Sequence, residues 1–171
     1  MDLLDFDGGE LYFEEPISGE VQALLDQASR AYGDGGAECP LLRAYLLAPE
    51  RLTVLVALYR FYFYQHRLDD ALLVADRTIM LAARRLGLPA DWSELDPLHL
   101  GRGAMQSLGL VRFLLLALKA AGYINLRLGR HELGVAMLRQ VHALDSADRL
   151  GAGALLEVVG ATIGQPIVAN A

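Results

Sequence analysis

The sequence predicts an all-α protein of stacked antiparallel helical hairpins with flanking capping helices. Three observations predict it. Leu and Ala outnumber the β-branched residues, and Leu, Ala and Arg favour helices. Apolar residues recur at helical spacing through most of the chain. Two long apolar patterns are each broken once, at Gln65-His66-Arg67 and at Gly129-Arg130, as in helical hairpins. The 171 residues suit one domain, and 54% hydrophobic residues are enough to bury a core without disulfides or metal.

The first helix is predicted over 19–33. Ser18 is its N-cap, Glu20 lies in its first turn, and Val21, Leu24, Leu25 and Ala28 form one stripe. Gly33-Asp34-Gly35-Gly36 stops it; this run lacks the spacing of a phosphate-binding loop. Pro40 opens a short helix, 41–47. Pro49 starts the next, which runs to Gln65 with Leu52, Leu55, Val56 and Tyr59 on one face. Its partner spans 68–86 and turns Ala71, Leu72, Ala75 and Ile79 toward that face. Gly87 and Pro89 end it. Residues 88–103 read as a connection with one helical turn at 93–95 around the single tryptophan, Trp92. Helices follow at 104–128 and 131–144, the latter with Leu133, Met137 and Val141 inward. A last helix, 150–159, presents Leu155, Leu156 and Val159. The predicted organisation is an acidic apolar arm (1–18), one helical domain (19–160) and a fraying tail (161–171).

Charge is unevenly spread. Residues 1–29 carry eight acids and no Lys or Arg, while the remainder carries thirteen acids and fifteen bases. A body near +2 lacks the concentrated basic face of a nucleic-acid binder. The arm alternates acids with Leu3, Leu4, Phe6, Leu11, Tyr12 and Phe13. It is either loosely packed or a segment that docks on a basic apolar surface, its own or a partner's. The apolar run 108–121, interrupted by Arg112 and Lys119, reads as too short and too charged for a membrane span. Lone Cys39 forbids an intrachain disulfide and fits the cytoplasm; the acidic start is unlike a secretory leader.

No residue pattern carries chemistry. His66, His99, His131 and His142 stand apart, and His131-Glu132 lacks the zinc-protease spacing. Asp69, Asp70 and Asp76 read as first-turn acids favoured by the helix dipole plus a solvated charge. Ser107 has no nucleophile motif around it. The expectation is a protein that is not an enzyme and needs no metal or cofactor.

The two hairpins superpose by their turns. Tyr59, His66, Leu68 and Ala71 fall at the same offsets as Gly122, Gly129, His131 and Gly134. These offsets resemble the tetratricopeptide repeat. The second unit matches best, in Gly122, Gly129 and the ending Ala143-Leu144-Asp145-Ser146. The first matches in Leu58, Tyr62, Leu68 and Ala71, but holds His66 where the repeat prefers Gly. The units cover roughly half the chain and lie 63 residues apart, against a repeat length of about 34.

The run ALYRFYFYQHRLDDALLVADRTI, with LGLPADW after it, resembles a family of TPR-like proteins encoded beside nitrogen-fixation genes, of the nitrogenase-associated factor T type. That resemblance implies a non-enzymatic factor that binds the nitrogenase molybdenum–iron protein in an immature or cofactor-deficient state. In such a stack the first helix of each hairpin lines the concave face. The positions carried over are Thr53, Val56, Arg60, Phe63 and Tyr64, then Leu116, Lys119, Tyr123, Leu126 and Arg127. The partner-binding candidates among them are Arg60, Phe63, Tyr64, Lys119, Tyr123 and Arg127, because rings and cations dominate interface energetics. Phe63 and Tyr123 are equally readable as core. Two alternatives stand beside this reading: a small acidic TPR-type secretion chaperone, and a small helical enzyme whose site assembles from scattered residues.

Overall fold

In a computed structural model, which describes residues 15–32 and 35–163, the chain is all-helical, with seven α-helices and no strand among those residues. They are α1 (Gly19–Arg30), α2 (Glu38–Leu47), α3 (Leu52–Tyr64), α4 (Leu68–Arg85), α5 (Pro97–Arg127), α6 (His131–Leu144) and α7 (Ala152–Ile163). Each helix packs chiefly on the next one in sequence, so the array grows by neighbour contacts. The expectations for the arm at 1–14, for Gly33 and Asp34, and for the tail from 164 lie outside the described residues.

Most stripes lie where the spacing placed them. Val21, Leu24 and Ala28 of α1 are buried, with Ser18 Oγ accepting from the Val21 amide at 3.3 Å. Leu52, Leu55, Val56 and Tyr59 of α3 meet Ala71, Leu72, Ala75 and Ile79 of α4, and all eight are buried. In α6 the inner face is Gly134, Met137, Leu138 and Val141, whereas Leu133, expected inside, is 44% exposed. Gly134 explains the shift. It sits so close to α5 that a Cβ built there would stand 2.7 Å from the Gly122 carbonyl oxygen. The face around that contact point, one residue beyond Leu133, is the one that meets α5.

The largest departure is α5. It starts at Pro97, inside the stretch expected to be a connection, and breaks at Ser107, where φ is −159° and ψ 101°. Asp96 caps it, Oδ1 accepting from the His99 amide at 2.7 Å, and Pro97 fills a first-turn position that needs no N–H. Gly101 and Gly103 weaken the pattern there enough to hide those start signals. Ser107 Oγ accepts from the Leu110 amide at 3.2 Å and caps the second run. At 31 residues α5, of which the run 108–121 is only a part, is long and apolar enough to cross a membrane by length and composition alone. Two thirds of its most apolar window is buried within the protein, 67%.

The two hairpin turns share one backbone geometry. The Arg67 amide donates to the Tyr62 carbonyl at 2.9 Å and the His66 amide to that of Phe63 at 3.0 Å. Sixty-three residues on, Arg130 donates to Asn125 at 2.9 Å and Gly129 to Leu126 at 3.0 Å. Both are Schellman closures that satisfy the last carbonyls of the first helix. Both need a left-handed residue at the same place: Gly129 at φ 76° and His66 at φ 58°.

Candidate protein-binding face

The α3 sequence YRFYFY covers every direction around a helix, because successive residues turn about 100°. Tyr59, Phe61 and Tyr62 therefore point into the array and are buried. Phe63 is half-buried and Tyr64 is 38% exposed. These last two join a row of rings that crosses three elements. Tyr32, after α1, stands edge-on to Tyr64 with centroids 6.4 Å apart and to Phe61 at 5.8 Å. Tyr64 meets Phe63 at 5.6 Å, and Phe63 meets Tyr123 of α5 at 6.1 Å.

Arg60 lies close enough for its charge to oppose the effect of burial on two of these phenols. Burial raises the Tyr32 and Tyr59 pKa values, and the Arg60 cation pulls both back. Tyr59 is completely buried and its hydroxyl meets no hydrogen-bond partner among the described residues. Tyr62 is tied instead: its hydroxyl donates to Glu38 at 3.2 Å and its ring lies 4.5 Å under the Arg67 guanidinium. Burial and then the Glu38 charge raise its pKa. Arg67 pairs with Glu38 at 2.7 Å and Asp70 at 2.8 Å, and Arg130 reaches Asp69 at 2.8 Å. These ion pairs are exposed and each contributes little, but together they join α2, α4 and the α5–α6 turn at one end of the array.

The candidates separate into two groups. Phe63, Tyr64 and Tyr123 come together, with Arg60 among the same phenols and Arg127 exposed one turn beyond Tyr123. Lys119 does not join them. It is 7% exposed and its ammonium donates to the Leu150 carbonyl, ahead of α7. Burial lowers its pKa. Thr53, carried over as a face position, is occupied by the chain itself. The Glu15 carboxylate accepts from the Thr53 amide at 3.0 Å and hydroxyl at 3.2 Å, and from Arg85 at 2.8 Å. Val56 is buried. Tyr32 was missed by sequence reasoning; its only signal is a ring beside a glycine-rich turn.

Among the described residues no group of three or more His, Cys, Asp or Glu side chains is placed to hold a metal ion. What this face offers is ring edges, phenol hydroxyls and guanidinium groups on packed helices. Such a surface suits a protein partner, since rings bury large areas at low entropic cost.

The class of protein is thus an all-helical array in which each helix packs on its sequence neighbour. The chain is 54% identical over 159 residues to an uncharacterized 19.8 kDa protein in the nifW 5′ region of Azotobacter chroococcum mcd 1. The match covers 93% of this chain and 89% of that protein, and the chain belongs to the same family, one associated with the nif region. No protein-family model matches the chain, and no solved structure does.

Proposed function

We propose that this chain is a non-catalytic binding factor of nitrogen fixation, acting in the cytoplasm, whose partner is the nitrogenase molybdenum–iron protein in an immature or cofactor-deficient state. The observation that carries a protein-binding role is the ring row Tyr32–Tyr64–Phe63–Tyr123 with Arg60 and Arg127 beside it. The nif-region relative supports the process. The resemblance of residues 57–79 and 86–92 to nitrogenase-associated factors supplies the partner. The paired Schellman turns and packing chiefly between sequence neighbours support a TPR-like stack, in which α3 and α5 line the face. Rings and guanidinium groups suit an acidic, partly apolar surface.

The test is titration calorimetry of the purified chain against the molybdenum–iron protein, with and without its cofactor. Binding to the cofactor-deficient form is expected to be the tighter. Arg60→Glu with Arg127→Glu is expected to weaken it about tenfold or more with unchanged helicity, as loss of interface Arg anchors does. Absence of binding to either form rejects the partner. Binding that ignores both substitutions moves the interface off this face.

A further inference from the structure

Two exposed faces of the chain share no residue with the ring row. The first borders an open groove of about 530 Å³ between α2 and α4, floored by Leu58 of α3. Leu42 and Tyr45 form one wall, and Leu73, Asp76 and Met80 form the other. Leu73 is 71% and Met80 44% exposed. These three α4 residues fall within about 60° of one another around the helix, at about 100° per residue. Asp76 is exposed and makes no hydrogen bond or ion pair among the described residues. Crowding raises its pKa, against an opposing pull from Arg130, which is itself paired with Asp69. The other charges of the groove are engaged. Asp70 pairs with Arg67, and Arg77 donates to the Pro49 carbonyl at 3.4 Å with its guanidinium 5.7 Å from the Tyr45 ring centre. An apolar strip with one uncommitted carboxylate favours an occupant that is apolar and carries a cation.

The second face has that character. Ahead of the break at Ser107, α5 presents Leu98, Arg102 and Met105, again within about 60° of one another. Leu98 is 62% and Met105 88% exposed. Arg102 is exposed and makes no hydrogen bond or ion pair among the described residues.

We infer that this α5 face of one copy docks antiparallel along α4, over the groove of a second copy, so that Leu98 meets Met80, Arg102 meets Asp76 and Met105 meets Leu73. Spacing carries the match. Read forward, the α5 residues are four and then three positions apart; read backward from Met80, so are the α4 residues. Both rows span about 10.5 Å at 1.5 Å per residue, so one register joins all three pairs. A parallel register with the apolar ends aligned sets Arg102 opposite Arg77, and like charges oppose it. In the antiparallel one Gly101 stands opposite Arg77. A Cβ at Gly101 would meet nothing within 4 Å, so there is room there for the Arg77 and Tyr45 side chains. Antiparallel helices also oppose their dipoles. The contact joins two different faces, so the groove of one copy takes the helix of the next.

The experiment measures the mass of the full chain by sedimentation equilibrium between about 1 and about 100 μM. Reducing buffer keeps the exposed Cys39 from cross-linking copies. The mass is expected to rise above that of one chain across this range. A single-chain mass throughout overturns the proposal and leaves the groove to a different partner. Leu73→Asp and Met105→Asp, both at exposed positions, are each expected to weaken self-association about tenfold or more. Mixed together, they are expected to form a one-to-one pair, because the first keeps its α5 face and the second its groove. Mixing that restores nothing, or either variant associating as tightly as the unmodified chain, overturns the proposal. Charge reversal tests the register. Arg102→Asp alone and Asp76→Arg alone are expected to weaken association, and the chain carrying both to recover it to within about threefold. A doubly reversed chain as weak as the single variants overturns the pairing of Arg102 with Asp76.

Discussion

The two hairpins of this molecule turn alike and pack differently. In α3–α4 a large ring fills the core: Tyr59 is completely buried, and its counterpart residue across the hairpin is Ala71. In α5–α6 the corresponding residues are Gly122 and Gly134, and the backbones touch there. One turn geometry therefore serves both an interface filled by a ring at this level and one with no room for a Cβ. The lesson is that the turn sets connection and direction, while residue volume at two positions sets separation. It also predicts opposite sensitivities: the first hairpin suffers from lost volume, the second from added volume.

The largest effect is expected at position 59. Tyr59→Ala is expected to cost about 4 kcal/mol in urea denaturation, as large buried rings do. Tyr59→Phe, which removes only a hydroxyl without a hydrogen-bond partner, is expected to change stability by less than about 1 kcal/mol. A large loss with Phe would mean that the hydroxyl is satisfied.

Next comes position 134. Gly134→Ala forces a Cβ against the Gly122 carbonyl and Leu126, and is expected to cost about 3 kcal/mol. The mirror change, Ala71→Gly, is expected to cost only about 1 kcal/mol, the backbone-entropy penalty of glycine in a helix. Equal costs would erase the distinction between the hairpins.

The turns should be exchangeable at smaller cost. His66 occupies a left-handed conformation that Gly129 adopts freely, so His66→Gly is expected to gain about 1 kcal/mol and Gly129→His to lose as much. Thermal melts of both variants check this.

An effect of similar size, but dependent on pH, is expected at the last joint. The Asp148 carboxylate accepts from the Gly153 amide at 2.8 Å and faces His142 at 3.4 Å. The Gly153 hydrogen bond is the first cause of its lowered pKa, opposed by burial and reinforced by His142. A depressed acid stabilises the folded chain above its unfolded pKa, about 3.9, and loses that contribution as pH falls through its folded value. Asp148→Ala is expected to cost about 1 kcal/mol at neutral pH, and the difference should shrink below about pH 4. A difference independent of pH would exclude the carboxylate as the cause.

The helical class, six of the seven helices near their observed positions and the turn offsets were legible because they depend on local spacing and local start and stop signals. The half-helix before Ser107 was obscured by two glycines despite Asp96-Pro97. Of the face, Phe63, Tyr64 and Tyr123 were readable as rings at helical spacing. Spacing also put Lys119 on that stripe, and it was misleading about exposure. Lys119 lies one turn before Tyr123, but which neighbour covers each turn depends on where α7 packs. Tyr32 needed the path of the chain between α1 and α2.

By itself, then, the sequence determined the helices, their turns and the residues able to bury rings or carry cations, because these follow from periodicity and backbone preference over a few residues. Only the tertiary structure decided which rings form a row, that Lys119 turns inward and that Glu15 closes the start of α3. Those depend on contacts between residues up to 70 apart, such as Arg85 with Glu15, and on how close two helices come, which is a property of both partners and of neither alone.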